Sequence, residues 1–329
     1  MNSKQLLTQF LFGLTIPQQY VCVSLETLTQ PLRSFITAHE EQQSSFINPV
    51  FVGYKPVVWA TAETLTLPQA DEYCLHFHNE DVFFDPISLW KGFPADNRSV
   101  AKMQIEVLPL KFEAFPEVRL FQGTRGSHSF IHPLHTIANA LREKLVKSPP
   151  GNVDLPGDLH DMVRIAYAIP RIISLISVTD GTRMNLFPTD LHGQLNKDYY
   201  ISSLRIGGKA QRQVQQYKKI VISQITSDQF EEVYNLGKNH MKDLTGADSF
   251  KLSTMRSEKF QIPLPAGVLR YMEVEVVQFI DVGIHRIFLY KVENRKQVAE
   301  GNTLSHIHQY YAQWRQSHGI STEFFLRRS

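Results

Sequence analysis

The sequence predicts a mainly β protein with accessory helices, and a β-barrel in its C-terminal half. Three observations predict it. Short runs rich in β-branched and aromatic residues recur along the chain, bounded by Gly, Pro, Asn or Asp. Two long β runs flank Gly283 and together spell a hairpin over Val268–Val292. The helical stretches between them are few and short, as expected of covers on a sheet. With 329 residues, 43% of them hydrophobic and 20% charged, the chain has the composition of a globular protein with a large core and room for two domains.

The elements follow in order. Leu6, Leu7, Phe10, Leu11 and Leu14 fall at helical spacing and predict a short amphipathic helix. Its apolar run is broken by Thr8 and Gln9, and no small-residue cleavage site follows, so it does not read as a secretory signal. No apolar stretch approaches the roughly 20 residues that span a bilayer, and a cytoplasmic protein is expected. Tyr20–Leu25, the VVWATA run within 50–62, Tyr73–Phe77 and Met103–Leu108 read as strands, with loops at Thr37–Ser45 and Asn79–Arg98. Phe130–Lys147 reads as a helix: Pro133 suits its first turn, and Leu134, Ile137, Ala138, Leu141 and Leu145 make its apolar stripe. Ser148-Pro149-Pro150-Gly151-Asn152 then breaks the pattern. It divides a strand-rich N-terminal domain (1–150) from a second domain (151–329), and the two can share a core.

In the second half, Ile172–Val178 is a short apolar run between Pro170 and Asp180-Gly181, the pattern of a buried strand. Tyr199–Ile206 is the next strand, Gly207-Gly208 turns the chain, and Lys209–Tyr217 reads as a short helix before a strand at Ile220–Ile225. Ser227-Asp228 caps a helix from Gln229 to about His240, with Glu231 and Glu232 in its first turn. Asn302-Thr303 caps a last helix through Ser317, along which His306, Tyr310, Tyr311 and Trp314 recur at spacings of three and four. An aromatic stripe at that period reads as core.

A formal charge of +2 gives no electrostatic footprint for nucleic acid or an anionic membrane. The two cysteines, Cys22 and Cys74, sit in apolar stretches and read as buried thiols. His76 and His78, then His128, His132 and His135, form two groups, but neither has ligand spacing or carboxylate and thiolate company. They read as structural histidines, and no metal is predicted.

One stretch carries chemistry. An apolar strand reaches Asp180-Gly181, Asn185-Leu186-Phe187-Pro188-Thr189 follows, and the next strand ends in Ser203-Leu204-Arg205 before Gly207-Gly208-Lys209. A helix and strand then occupy Gln211–Ser223, and the Gly283-Ile284-His285 turn precedes the strand Arg286–Val292. In this order and spacing, about residues 165–318 resemble the flavin reductase-like proteins, whose fold is the FMN-binding split barrel. Two positions depart from that pattern: Asn196-Lys197-Asp198 stands where the family usually has a Pro-Pro pair, and Gln211 stands for a common threonine.

The resemblance implies FMN as cofactor and NADH or NADPH as transient electron donor. It places Ser203, Arg205, Lys209 and Gln211, with the Gly207-Gly208 amides, around the phosphate. It places Asn185, Leu186, Phe187 and Thr189 along the flavin ring, and His285 near the reacting nucleotides, as the residue closest to a catalytic role. The implied activity is an oxidoreductase passing hydride from NAD(P)H to flavin, with chemistry supplied by the cofactors. A non-catalytic flavin-binding or degenerate barrel, acting as sensor, carrier or interaction module, is the alternative. No Gly-x-Gly-x-x-Gly fingerprint is present, so a Rossmann nicotinamide site is not implied.

The first half echoes the second. YVCVSLETLTQPLRSF precedes RIISLISVTDGTRMNLF by about 150 residues, MQIEVLPLKF parallels MEVEVVQFID, and Gly126-Ser127-His128 parallels Gly283-Ile284-His285. Proteins of the resembled family dimerise, so the expected partners are small molecules plus either a second copy or, by tandem duplication, an intrachain pseudo-dimer.

Overall fold

The computed structural model describes residues 20–38, 44–62, 70, 72–78, 99–131, 155, 158–320 and 324–325. The expected helices at 6–14 and 130–147, the 79–98 loop, the break at 148–152, His132 and His135 lie outside these residues, save for Phe130 and Ile131.

Seven strands of the first half build one antiparallel sheet: β2 (Arg33–Ala38), β3 (Ser44–Ile47), β4 (Val50–Tyr54), β5 (Val57–Thr61), β6 (Glu72–His78), β7 (Ala101–Val107) and β8 (Arg119–His128). β1 (Tyr20–Ser24) stays outside it. In the second half, β9 (Arg171–Ile172) is followed by the seven strands of a second antiparallel sheet. These are β10 (Ser174–Thr179), β11 (Met184–Thr189), β12 (His192–Gln194), β13 (Tyr199–Arg205), β14 (Lys219–Ile225), β17 (Val268–Val282) and β18 (His285–Gln297). A small hairpin of β15 (Leu252–Arg256) and β16 (Pro263–Pro265) is inserted before β17.

Spatial order in the first sheet is β3-β2-β6-β7-β8-β5-β4, and in the second β11-β10-β14-β17-β18-β13-β12. Numbered by chain order, both read second, first, fifth, sixth, seventh, fourth, third. The two halves therefore repeat one topology, and MQIEV of β7 and MEVEV of β17 occupy the same sixth position. The parallel between Gly126-Ser127-His128 and Gly283-Ile284-His285 does not survive. Residues 126–128 end the seventh strand of their sheet, whereas Gly283-Ile284 precedes the seventh strand of theirs.

Alternation along the strands sets two faces. In the second sheet Tyr200, Leu204, Phe288 and Tyr290 point into its own core, which the helix Lys209–Tyr217 closes with Ala210 and Val214. Their neighbours Ile201, Ile287 and Leu289 point the other way and meet Val50, Val52, Val58 and Ala60 of the first sheet. The sheets are thus joined through a shared apolar layer. The contact is reciprocal. The β4–β5 hairpin of the first sheet meets the β17–β18 turn of the second, where Lys55 accepts at 3.1 Å from the Ile284 N–H. The β12–β13 hairpin meets the β7–β8 connection, where the Phe115 ring stacks on Tyr199 at 4.4 Å.

Two features bind the chain's ends together. β1 is flanked by β19 (Leu304–His308) and β20 (Phe324–Phe325), and β19 pairs also with β9. The core of the first sheet also takes in Tyr310, Tyr311 and Trp314 from the helix Gln309–Ser317, with Met162 and Val163 of the helix Asp158–Ala166. The buried Arg315 guanidinium fastens that last helix by donating to the Thr29 and Gln30 carbonyls. The helices Asp158–Ala166 and Gln309–Ser317 of the second half thus pack in the first sheet's core.

The final helix differs from expectation. Residues 304–308 are strand because every one is buried between β1 and β9, and the cap is His308, whose Nδ1 accepts from the Tyr310 N–H at 3.1 Å. The expected Gln229–His240 helix is a short α segment, Phe230–Asn235, between 3-10 turns. Cys22 and Cys74 are free thiols. His76 contacts Thr37 and Ser99, and His128 stacks on Phe130 near Asp161. Among the described residues no three His, Cys, Asp or Glu side chains converge as metal ligands would, and no helix is long and apolar enough to cross a membrane.

Candidate functional site

The alternation that sends Ile201 and Ile287 to the junction also sends Ser203, Arg205 and His285 there. Ser203 pairs with Ile287 and Arg205 with His285 across the β13–β18 ladder. The sheets part beyond the apolar layer and leave a cavity of about 590 Å³, within the range of small-ligand pockets. Its wall includes Thr189, Asp190, Ser203, Arg205, Gly207, Gly208, Gln211, His240 and His285, and from the first sheet Tyr54.

Two wall residues carry buried polar atoms without partners. His285 is 1% exposed, and neither ring nitrogen has a hydrogen bond; Ser203, equally buried, has an unpartnered Oγ. An unpaired buried polar group costs about 1–3 kcal/mol, so such atoms lining a cavity mark where a polar ligand would be received. Burial, with help from the Arg205 charge, pushes the His285 pKa down to about 4. The neutral ring offers one donor and one acceptor. The Tyr54 ring stands edge-on to it at 4.3 Å.

Gly207 has φ +88, a conformation that favours glycine, and it bends the chain from β13 into the helix Lys209–Tyr217. Gly208 is the N-cap of that helix. Its N–H already donates to the Arg205 carbonyl at 3.3 Å, so the polar groups offered at this wall are the first-turn amides. A helix start beside an arginine is suited to an anion.

Asp190 completes the wall from behind. Its carboxylate accepts from His306 Nε2 at 2.9 Å and from the Tyr167 hydroxyl, with Arg171 close by. Those donors hold the carboxyl well below the usual carboxylate range despite the cost of burial. His306 Nδ1 in turn faces the Tyr234 hydroxyl at 2.8 Å.

Of the residues that the sequence singles out, Thr189, Ser203, Arg205, Gln211 and His285 come together at this cavity. Asn185, Leu186, Phe187 and Lys209 do not line it. Asn185 donates to Gln213 and to the Asn239 carbonyl, and it faces a separate cleft. The Leu186 carbonyl accepts from Asn239, the Pro188 carbonyl accepts from His240 at 2.7 Å, and Phe187 is fully buried in the core of the second sheet. The segment 236–241 therefore covers the outer edge of β11. Lys209 is held in an ion pair with Asp243 at 2.7 Å. The sequence reading missed Tyr54, Asp190 and His240. Asp190 adjoins the singled-out Pro188-Thr189 pair, but only the fold joins Tyr54 and His240 to it.

No known protein-family profile matches the chain, and no curated protein sequence does. Solved structures similar to it include an NADH:FAD oxidoreductase from Streptomyces globisporus, at 14% identity and a TM-score of 0.41, covering 55% of this chain and 100% of that one. A flavin reductase component of a bacterial two-component tryptophan halogenase is 13% identical with a TM-score of 0.40, covering 52% and 100%. An FMN-binding protein from Thermus thermophilus is 16% identical with a TM-score of 0.35, covering 46% and 82%. Each of these three solved structures is similar to about half of this chain.

Proposed function

We propose that the chain is an FMN-binding oxidoreductase of flavin reductase type that passes hydride from NADH or NADPH to flavin. One observation carries the reading: unpartnered, buried Ser203 Oγ and His285 nitrogens line one cavity with Arg205 and a helix start. This set fits a phosphate-bearing, hydrogen-bonding ligand. Arg205, Ser203 and the first-turn amides of the Lys209–Tyr217 helix would hold the phosphate, with Gln211 beside them. The neutral His285 would hydrogen-bond the ring or the nicotinamide, and Tyr54 supports His285 from the first sheet. Lys209, outside the cavity wall and paired with Asp243, does not serve as an anchor. When bound, FMN supplies a ring that takes up hydride; the protein orients it and excludes water.

Titrating the purified protein with FMN, then adding NADH or NADPH, tests this. Binding followed by bleaching of the flavin colour supports it, and a protein without FMN affinity sinks it. A second reading, a flavin-binding barrel that senses or carries without turnover, is favoured by the covered edge of β11. Asn239 and His240 already hydrogen-bond the Leu186 and Pro188 carbonyls, within the 185–189 stretch that the resemblance sets along the ring. Binding without bleaching would select it.

A further inference from the structure

The repeated topology implies two equivalent ends of the junction, and the two ends differ. At one, the turn between sixth and seventh strands is only Gly283-Ile284, and it abuts Lys55 so tightly that a Cβ on Gly283 would lie 2.2 Å from the Lys55 carbonyl oxygen. His285, the first residue after that short turn, lines the cavity. At the other end the connection is the longer 108–118 segment. Phe112 in that segment is fully buried, Phe115 stacks on Tyr199, and the Ala114 N–H donates to Gln278 at 3.1 Å. The register positions differ too. Where the second sheet pairs Arg205 with His285, the first pairs the buried Thr61 with Arg119.

We infer that the chain is a complete binding unit with one cofactor site, finished in cis by Tyr54 and Lys55 of its own first half and closed at the opposite end by the 108–118 segment. This rests on the flavin reading for the identity of the ligand. The N-terminal sheet then serves as a built-in partner. It gives up its own site and supplies the wall that a second copy would otherwise have to bring.

The test uses the full chain. Light scattering gives particle mass, calorimetry gives FMN per chain, and NMR titration of the His285 ring reports the Tyr54 contact without any ligand. A monomer binding one FMN is expected. In Tyr54→Ala, FMN binding should weaken about three- to tenfold, the worth of one aromatic contact, and the His285 pKa should rise from about 4 toward its ordinary value. Tyr54→Phe, which keeps the ring, should restore both. Two FMN per chain, one FMN per two chains, or an unmoved His285 titration in Tyr54→Ala overturns the inference. A monomer that shows the His285 shift but takes no FMN overturns the flavin reading alone.

Discussion

His306 Nε2 stands 2.9 Å from a carboxylate oxygen of Asp190, linking the strand beside β1 to the wall of the cavity across more than a hundred residues of chain. Both side chains are largely buried, at 7% and 23% side-chain exposure. Replacing the carboxylate weakens the hydrogen bonds it accepts from His306 and Tyr167, at about 1.5–3 kcal/mol for bonds to a charged group. Asp190→Asn should therefore destabilise the protein by that order in urea unfolding. Because the native carboxyl titrates below its unfolded value, its stabilisation is present above roughly pH 4 and is lost as pH falls through the native pKa. The gap between wild type and variant should narrow in acid; a gap independent of pH would refute this role for the carboxylate.

Three buried histidines predict a second acid response. Burial pushes His76, His192 and His285 down to about 4. The unfolded chain takes up these protons from about pH 6.5 downward while the native chain does not, so stability falls between those values. Near pH 5 the loss is on the order of 2 kcal/mol for each ring. The urea midpoint should drop over this range, and His285→Gln should flatten the drop by about one ring's share.

Gly283 and Gly181 separate crowding from backbone strain. Both have positive φ, but a Cβ at Gly181 meets nothing within 4 Å, whereas at Gly283 it would strike Lys55. Gly181→Ala should cost about 1 kcal/mol. Gly283→Ala should cost clearly more and alter the His285 ring signals, since the sheet junction must shift. Equal costs would show that the junction yields freely.

Arg205→Ala should weaken FMN binding by about tenfold to a hundredfold, the range for a lost charged hydrogen bond. Lys209→Ala, which removes an ammonium already paired with Asp243, should change it by less than about threefold. The reverse ranking would reassign the phosphate anchor.

Much of the second sheet is legible in the sequence because its signals are local. Asp180-Gly181, Gly207-Gly208 and Gly283 mark the turns, and the Val268–Val292 hairpin alternates visibly. The His306 strand is not legible, since its aromatic spacing also suits a helix and the decision belongs to β1, almost 300 residues away. The fate of Asn185 and Phe187 was hidden for the same reason: the 236–241 segment that covers them is brought there by the fold. Ser203, Arg205 and His285 converge because strand periodicity fixes their shared face once β13 and β18 are paired.

The last helix seated in the first sheet's core has a consequence for how the protein is made. Tyr310, Tyr311 and Trp314 leave the ribosome nearly two hundred residues after β8, so the half synthesised first waits longest for its final packing. The second sheet, whose core draws on residues 176–292, can close before it. Loss of residues 310–320 would thus strike hardest at the first sheet, far from them in the sequence.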